Sequence, residues 1–280
     1  MESIKALARE VSSQRARFLV KKAVFSFLDL FSGRGRSAGE IEPPRGLNFA
    51  GGGSFQETGE EFFGYFCKYG RIQSDFAILD VGCAVGRMAL PLTKFISTSG
   101  RYEGFDIVPE GIEWCRTTIS SRYSNFTFRL VDVFNGNYNP KGTLAADKFR
   151  FPYSDAEFDF VFLTSVFTHL LPKDLSHYLD EVARVLKPAR RALFTFFLLN
   201  DEALQRIRSG GSTIDFCYDG DGYKTRCRNH PEDAVAYDQG WILEQLTSRG
   251  LRLAEPILSG SWSGRADGVS YQDMVVVERI

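Results

Sequence analysis

Three aspartates and two glycines have the types and spacing in this sequence that could do chemistry. Asp80 ends the run Ala77-Ile78-Leu79, Asp106 ends Arg101 to Phe105, and Asp132 follows the stretch Asn125 to Val131. The first run is continuously apolar, the mark of a parallel strand covered on both faces. An acid in such a setting needs a partner, and for Asp80 a ligand ammonium would serve. Gly82-x-x-x-Gly86 comes next, before a run (Arg87, Met88, Ala89, Leu90, Leu92) that can open a helix. Such a turn can point backbone N–H groups outward and let a ligand approach closely. Asp106 lies 20 residues past Gly86. A carboxylate there can accept two hydrogen bonds from a sugar diol. Any single strand-end Asp could instead cap a helix, but three after three successive strands are a less probable coincidence.

The spacing D-x-G-x-x-x-G does not fit the dinucleotide fingerprint G-x-G-x-x-G, because position 84 is Ala and position 87 is Arg. It resembles motif I of the class I S-adenosylmethionine-dependent methyltransferases, with Ala84 where that family usually has Gly. The passage from Phe158 to Phe197 resembles the family's fourth and fifth strands, with Ala189-Arg190 in place of the usual Gly-Gly. The resemblance covers about residues 70–280. It implies a Rossmann-like α/β fold: a seven-stranded, mostly parallel sheet, helices on both faces, and an antiparallel last strand. It also implies S-adenosylmethionine as cofactor. Asp80, Gly82, Cys83, Ala84 and Gly86 would surround it at the first turn. Asp106 with Ile107 would hold the ribose, and Asp132 with Val133 the adenine. Thr164 and Ser165 would complete the set.

Positioning these groups is the task of the rest of the chain. Residues 1–69 read as an N-terminal helical extension followed by a glycine-rich closing segment, and residues 70–280 as the catalytic domain. Within residues 1–31, six basic residues face three acidic ones, and Phe18, Phe25, Phe27, Leu28 and Phe31 give a wide apolar face. Such a helix can lie on a membrane surface. Packing on its own domain or on a second subunit is the commoner use. Asp29 interrupts the apolar run and no small-residue cleavage site follows, so it does not read as a secretory signal. Gly51-Gly52-Gly53, between Phe49 and Phe55, is either a connector or a closure over the cofactor. The aromatics of Phe55 to Tyr69 fall at helical spacing and read as core. Residues 201–237 are a polar insert at the carboxyl edge of the sheet, read as a substrate-recognising lid.

Composition narrows the function. With 44% hydrophobic and 25% charged residues and a net charge of −1, the sequence is that of an ordinary globule and not of a nucleic-acid binder. Five cysteines without C-x-x-C spacing point to a reducing cytoplasm. In the insert, Asp215, Cys217, Asp219, Asp221, Cys227 and His230 cluster in sequence. A calcium-loop frame would put Cys217 at its first position and Arg228 at its last, and a zinc reading lacks a fourth ligand at standard spacing. No metal is therefore expected.

The expected activity is methyl transfer to a small-molecule or glycan-type acceptor, at oxygen, by in-line displacement. The alternative is a cofactor-binding partner subunit without catalysis. An oxygen acceptor must lose a proton. His169, six residues past the fourth strand, is the candidate base, although an imidazole there could equally cap a helix or pack beneath the pocket.

Overall fold

The computed structural model describes residues 41–47 and 53–280. The basic helix expected within residues 1–31, and Phe49 to Gly52 of the closing segment, lie outside the described residues.

A seven-stranded sheet forms the frame. Its strands are β1 (Ala77–Val81), β2 (Arg101–Asp106), β3 (Phe126–Leu130), β4 (Phe158–Leu163), β5 (Leu186–Phe196), β10 (Leu251–Leu253) and β11 (Asp273–Arg279), in the order β10-β11-β5-β4-β1-β2-β3. The first five run parallel, while β11 lies antiparallel between β5 and β10. This is the expected architecture. The order reverses beside β1, and that switch opens a crevice at the carboxyl ends of β1, β2 and β4.

Alternation within the strands builds two cores, one on each face. Leu79 and Val81 of β1, Val161 and Leu163 of β4, and Phe194 and Phe196 of β5 share one face. Helix α4 (Pro172–Val185) covers it with Leu175, Leu179 and Val182, and α6 (Gln239–Thr247) adds Ile242 and Leu246. On the other face, Ile78, Phe160, Phe162 and Leu193 meet α1 (Phe55–Tyr65), α2 (Ala89–Leu92) and α3 (Pro109–Cys115). The Phe66 ring, just after α1, lies 4.4 Å from that of Phe162. A one-residue slip would carry each set to the opposite face and undo the packing of both cores.

The segment expected to be a lid is folded. It supplies α5 (Asp201–Arg208) and the strands β7 (Tyr218–Asp219), β8 (Tyr223–Thr225) and β9 (Val235–Asp238), which join β6 (Leu198–Leu199) in a second sheet. Phe197, Phe216 and Trp262 pack beneath it as a third apolar cluster. The helix expected to open in the run from Arg87 is the single turn of α2, since residues 84–88 turn instead.

Both departures from the family's glycines fall on strained backbone. Ala84 has φ 48° and Ala189 has φ 58°, a left-handed conformation that disfavours a Cβ. Ala189 lies in a bulge between two registers of the β4–β5 pairing, and it is exposed. Ala189→Gly should therefore relieve strain without losing packing. The expected gain is about 0.5–1 kcal/mol, or a rise of roughly 1–4 °C in thermal midpoint. A scanning-calorimetry midpoint that falls would contradict it.

Candidate functional site

β1 carries Asp80 into the crevice because it is the penultimate residue of a strand whose other members are apolar. Asp80 is 1% exposed. Its Oδ2 accepts a hydrogen bond from the Tyr102 hydroxyl at 2.6 Å, and its Oδ1 has no hydrogen-bond partner among the described residues. Burial pushes this carboxyl up to about 8, against the Tyr102 hydrogen bond and with help from the charge of Asp106. Asp106, at the end of β2, accepts from the Ala84 N–H at 2.8 Å with Oδ2 and from the Val108 N–H at 2.9 Å with Oδ1. Burial raises its pKa, opposed by those backbone donors. A carboxylate has about four acceptor positions, so two remain for a diol.

The glycine turn differs from the sequence expectation in one respect. Four of its N–H groups are bonded within the protein rather than pointed outward to a ligand. Gly82 and Cys83 both donate to the Phe105 carbonyl (2.9 and 3.1 Å), Ala84 donates to Asp106, and Gly86 donates to the Cys83 carbonyl at 2.8 Å. A phosphate-cradling turn keeps such donors free. This turn bonds four of them internally, and the cavity beside it is lined by two carboxylates and by Arg87. The surroundings suit a cation. Gly82, at φ 81°, is required for a further reason: a Cβ there would lie 2.5 Å from Val166 Cγ2, so its absence lets the loop after β4 close onto the turn.

The cavity has a volume of about 720 Å³, within the ~300–1,000 Å³ range of small-ligand sites. The structure brings together Asp80, Gly82, Cys83, Ala84, Asp106, Ile107, Val133, Thr164, Ser165 and His169 in its wall. It does not bring in two expected residues. Gly86 lies beneath the turn, where a Cβ would be 2.8 Å from Ile119 Cδ1, so it serves packing against the chain after α3. Asp132 is turned away from the cavity. Its Oδ2 accepts from the Thr143 hydroxyl at 2.5 Å and its Oδ1 from the Asn139 amide at 3.4 Å. These donors hold its carboxyl below the usual range, with the Thr143 hydroxyl contributing most. The acid staples its own loop, and Val133 and Phe134 face the ligand space instead.

Other wall residues carried no sequence signal. Thr58 and Phe62 come from α1, so Phe62 is both core and site. Ser270, Tyr271 and Gln272 arrive just before β11. Their place follows from topology, since the start of an antiparallel strand lies at the carboxyl edge of its parallel neighbours. Gln272 Oε1 accepts from the Ser165 hydroxyl at 3.1 Å, and the Thr195 hydroxyl accepts from the Ser165 N–H at 2.7 Å. Ser165 itself has φ 59°. No residue of 201–237 lines the cavity.

His169 ends a single 3-10 turn, Phe167–His169. Its Nδ1 lies 2.9 Å from the Glu232 carbonyl oxygen. A carbonyl can only accept, so Nδ1 carries the hydrogen and Nε2 holds the lone pair in the neutral ring. Burial lowers its pKa, opposed by the Glu232 carbonyl and the charge of Asp233. The Tyr138 ring stands edge-on to it, with centroids 5.9 Å apart. Among the described residues, no group of three or more His, Cys, Asp and Glu side chains could hold a metal ion.

Residues 79–194 match the family described as "Methyltransferase domain". Among solved structures, the PH0226 protein from Pyrococcus horikoshii OT3 superposes with a TM-score of 0.54 at 18% identity, over 80% of this chain and 90% of that one. Magnesium protoporphyrin IX methyltransferase from Synechocystis PCC 6803, solved with bound SAH, gives 0.53 at 16% identity, over 95% and 98%. At such identities the likeness is one of fold. The strand topology is that of the class I S-adenosylmethionine-dependent methyltransferase fold, and the matched stretch is a methyltransferase domain, the part of an enzyme that takes S-adenosylmethionine as its cofactor.

Proposed function

We propose that the cofactor lies along the ends of β1 and β2, and that the acceptor is a neutral, hydroxylated small molecule or glycan methylated on oxygen. The observation that carries the first half is the unpartnered Oδ1 of Asp80 beside a turn that bonds four of its N–H groups within the protein. Asp80 would face the ligand ammonium and Asp106 the ribose diol. Ile107 and Val133 would flank the adenine, with Cys83, Ala84, Thr164 and Ser165 closing the walls. S-adenosylmethionine supplies, when bound, a methyl group already activated on a sulfonium.

The acceptor reading rests on the mouth of the cavity. Phe134 and Tyr271 line it while 47% and 49% exposed. Half-exposed rings at a cavity mouth are platforms for another ring. Tyr138, Ser270, Gln272 and His169 complete this rim, and none carries a permanent charge. Aromatic faces with neutral hydrogen-bonding groups suit a sugar or phenol better than a carboxylate or phosphate. His169, with its Nε2 lone pair, would take the acceptor's proton. The five free cysteines support a reducing compartment such as the cytoplasm. Among the described residues no helix is long and apolar enough to cross a membrane.

Calorimetry tests the cofactor half. Asp106→Ala should weaken S-adenosylmethionine binding by about 1.5–3 kcal/mol, the worth of hydrogen bonds to a charged group. Its Tm should also fall, because the Ala84 and Val108 N–H groups lose their acceptor. Unchanged affinity would overturn the assignment.

The raised pKa of Asp80 gives a pH dependence with a definite sign. In the empty protein this carboxyl holds a proton up to about pH 8, whereas the unfolded chain loses it near ~3.9. Stability of the empty protein should therefore fall as pH rises between those values. A bound ammonium needs the ionised form, so affinity should climb from pH 6 to about 8 with release of one proton. Asp80→Asn should flatten that climb. A slope that survives the substitution would assign the titration elsewhere.

A panel of tritium-labelled transfers onto sugars, glycans and phenols tests the acceptor half. With the acceptor it identifies, His169→Asn should lower kcat by roughly 10²–10⁴-fold at unchanged cofactor affinity. Near-normal turnover across pH 6–9 would remove His169 from the chemistry.

A further inference from the structure

His169 is held from two sides by one residue. The Glu232 main-chain carbonyl accepts from Nδ1 at 2.9 Å, and the Glu232 carboxylate accepts from the Gly136 N–H, also at 2.9 Å. Gly136 lies two residues before Tyr138, whose ring meets the other side of the imidazole. The loop between them is itself stiff. Asn135 Oδ1 accepts from the N–H groups of Asn137 and Tyr138, both at 3.0 Å, so the pull of Glu232 on Gly136 is passed to Tyr138. Glu232 sits in the short turn Pro231–Asp233 that leads into β9, in the second sheet.

We propose that Glu232 is a positioning residue: by clamping the Tyr138 loop and the His169 ring to one turn of the second sheet, it fixes the imidazole with Nε2 as its free, proton-accepting nitrogen. This rests on the reading of His169 as the base, and it gives the insert a function although no residue of it lines the cavity. A carboxylate on a rigid turn is suited to this, since a side-chain bond at one end and a main-chain bond at the other leave the ring little freedom. Displacements of about 1 Å in a catalytic group can cost 10²-fold in rate. Burial raises the Glu232 pKa against the Gly136 donor, with Asp174 and Asp233 adding to it. The charge acting on His169 is that of Asp233, while Asp174 and Asp233 act on Glu232.

Nitrogen-15 NMR of the imidazoles in the full chain tests the clamp without an acceptor. There are three histidines, and His177→Asn with His230→Asn leaves the signal of His169 alone. In this background the neutral ring should show Nδ1 protonated and titrate below the ~6.5 of a free imidazole. Glu232→Ala keeps the carbonyl but releases the Gly136 loop, so the tautomers should mix and the titration should move up toward ~6.5. Glu232→Gln retains an acceptor oxygen for Gly136 and should restore both. With the acceptor found, kcat should drop about 10–100-fold in Glu232→Ala, recover in Glu232→Gln, and leave cofactor affinity unchanged in both. If Glu232→Ala leaves tautomer and titration as they were, the clamp is wrong. If those change while His169→Asn keeps full turnover, the clamp stands as geometry and the base assignment has failed.

Discussion

A carboxylate buried with one oxygen unbonded is the constraint from which the rest of this site follows. Asp80 cannot be moved toward water, because β1 is flanked on both sides by strands and covered on both faces by apolar side chains. Ionising a carboxyl in such a place costs several kcal/mol unless it is paired. Tyr102 supplies one hydrogen bond, and no ion pair to Asp80 is found among the described residues. The empty site therefore stores an unfavourable charge, or a proton in its place, which a positively charged ligand relieves. The turn after β1 agrees with this. Four of its N–H groups are bonded to the Phe105 and Cys83 carbonyls and to Asp106, so they are not offered to an anion.

Asp106 links the two requirements. By accepting from Ala84 it holds the turn in shape, and by accepting from Val108 it fixes the start of α3. The remaining lone pairs are then presented by a group that cannot swing. Binding to it costs little conformational entropy, since the ordering has been done by folding. The strained φ of Ala84 belongs to the same device. That N–H reaches Asp106 only because the backbone takes a left-handed turn, and a non-glycine residue accepts about 1–2 kcal/mol of strain to do so.

Much of this was legible in the sequence. Continuous apolar runs gave away β1 and β4, and the acids at the ends of β1 and β2 pointed to the crevice, because strand periodicity and strand ends are local properties. Two kinds of information were not local. Asp132 has the same strand-end position as the other acids, but it meets Thr143 and Asn139 from its own returning loop, and sequence does not show how a loop folds back. Ser270 to Gln272 carry no motif at all. They reach the cavity because β11 is inserted antiparallel, a topological fact that makes the entry to a late strand a neighbour of early strand ends. The fold of the insert was a third thing not local. Its polar composition was read as a substrate-recognising lid and gave no sign of the core that Phe216 and Trp262 provide.

That core changes what the insert can contribute. A flexible lid gains its effect by closing, and the entropy lost on closing is charged against ligand binding. A folded sheet has already lost that entropy, so a turn at its edge can hold a partner in place at no further cost. Pro231–Asp233 is such a turn, buried at Asp233 and continued directly into β9, whose Val235, Ala236 and Tyr237 are fully buried. Tyr237 in turn donates to the Leu170 carbonyl, one residue after His169. The short helical turn that carries the imidazole is thus tied to the second sheet at adjacent residues, by the Glu232 carbonyl at the ring and by Tyr237 at the backbone. The two carboxylates and the histidine consequently rest on different frames. The carboxylates belong to the parallel sheet, while His169 and the Tyr138 loop are fastened through Glu232 to the smaller sheet, so under the proposed reading a change around the histidine need not disturb the groups assigned to the cofactor.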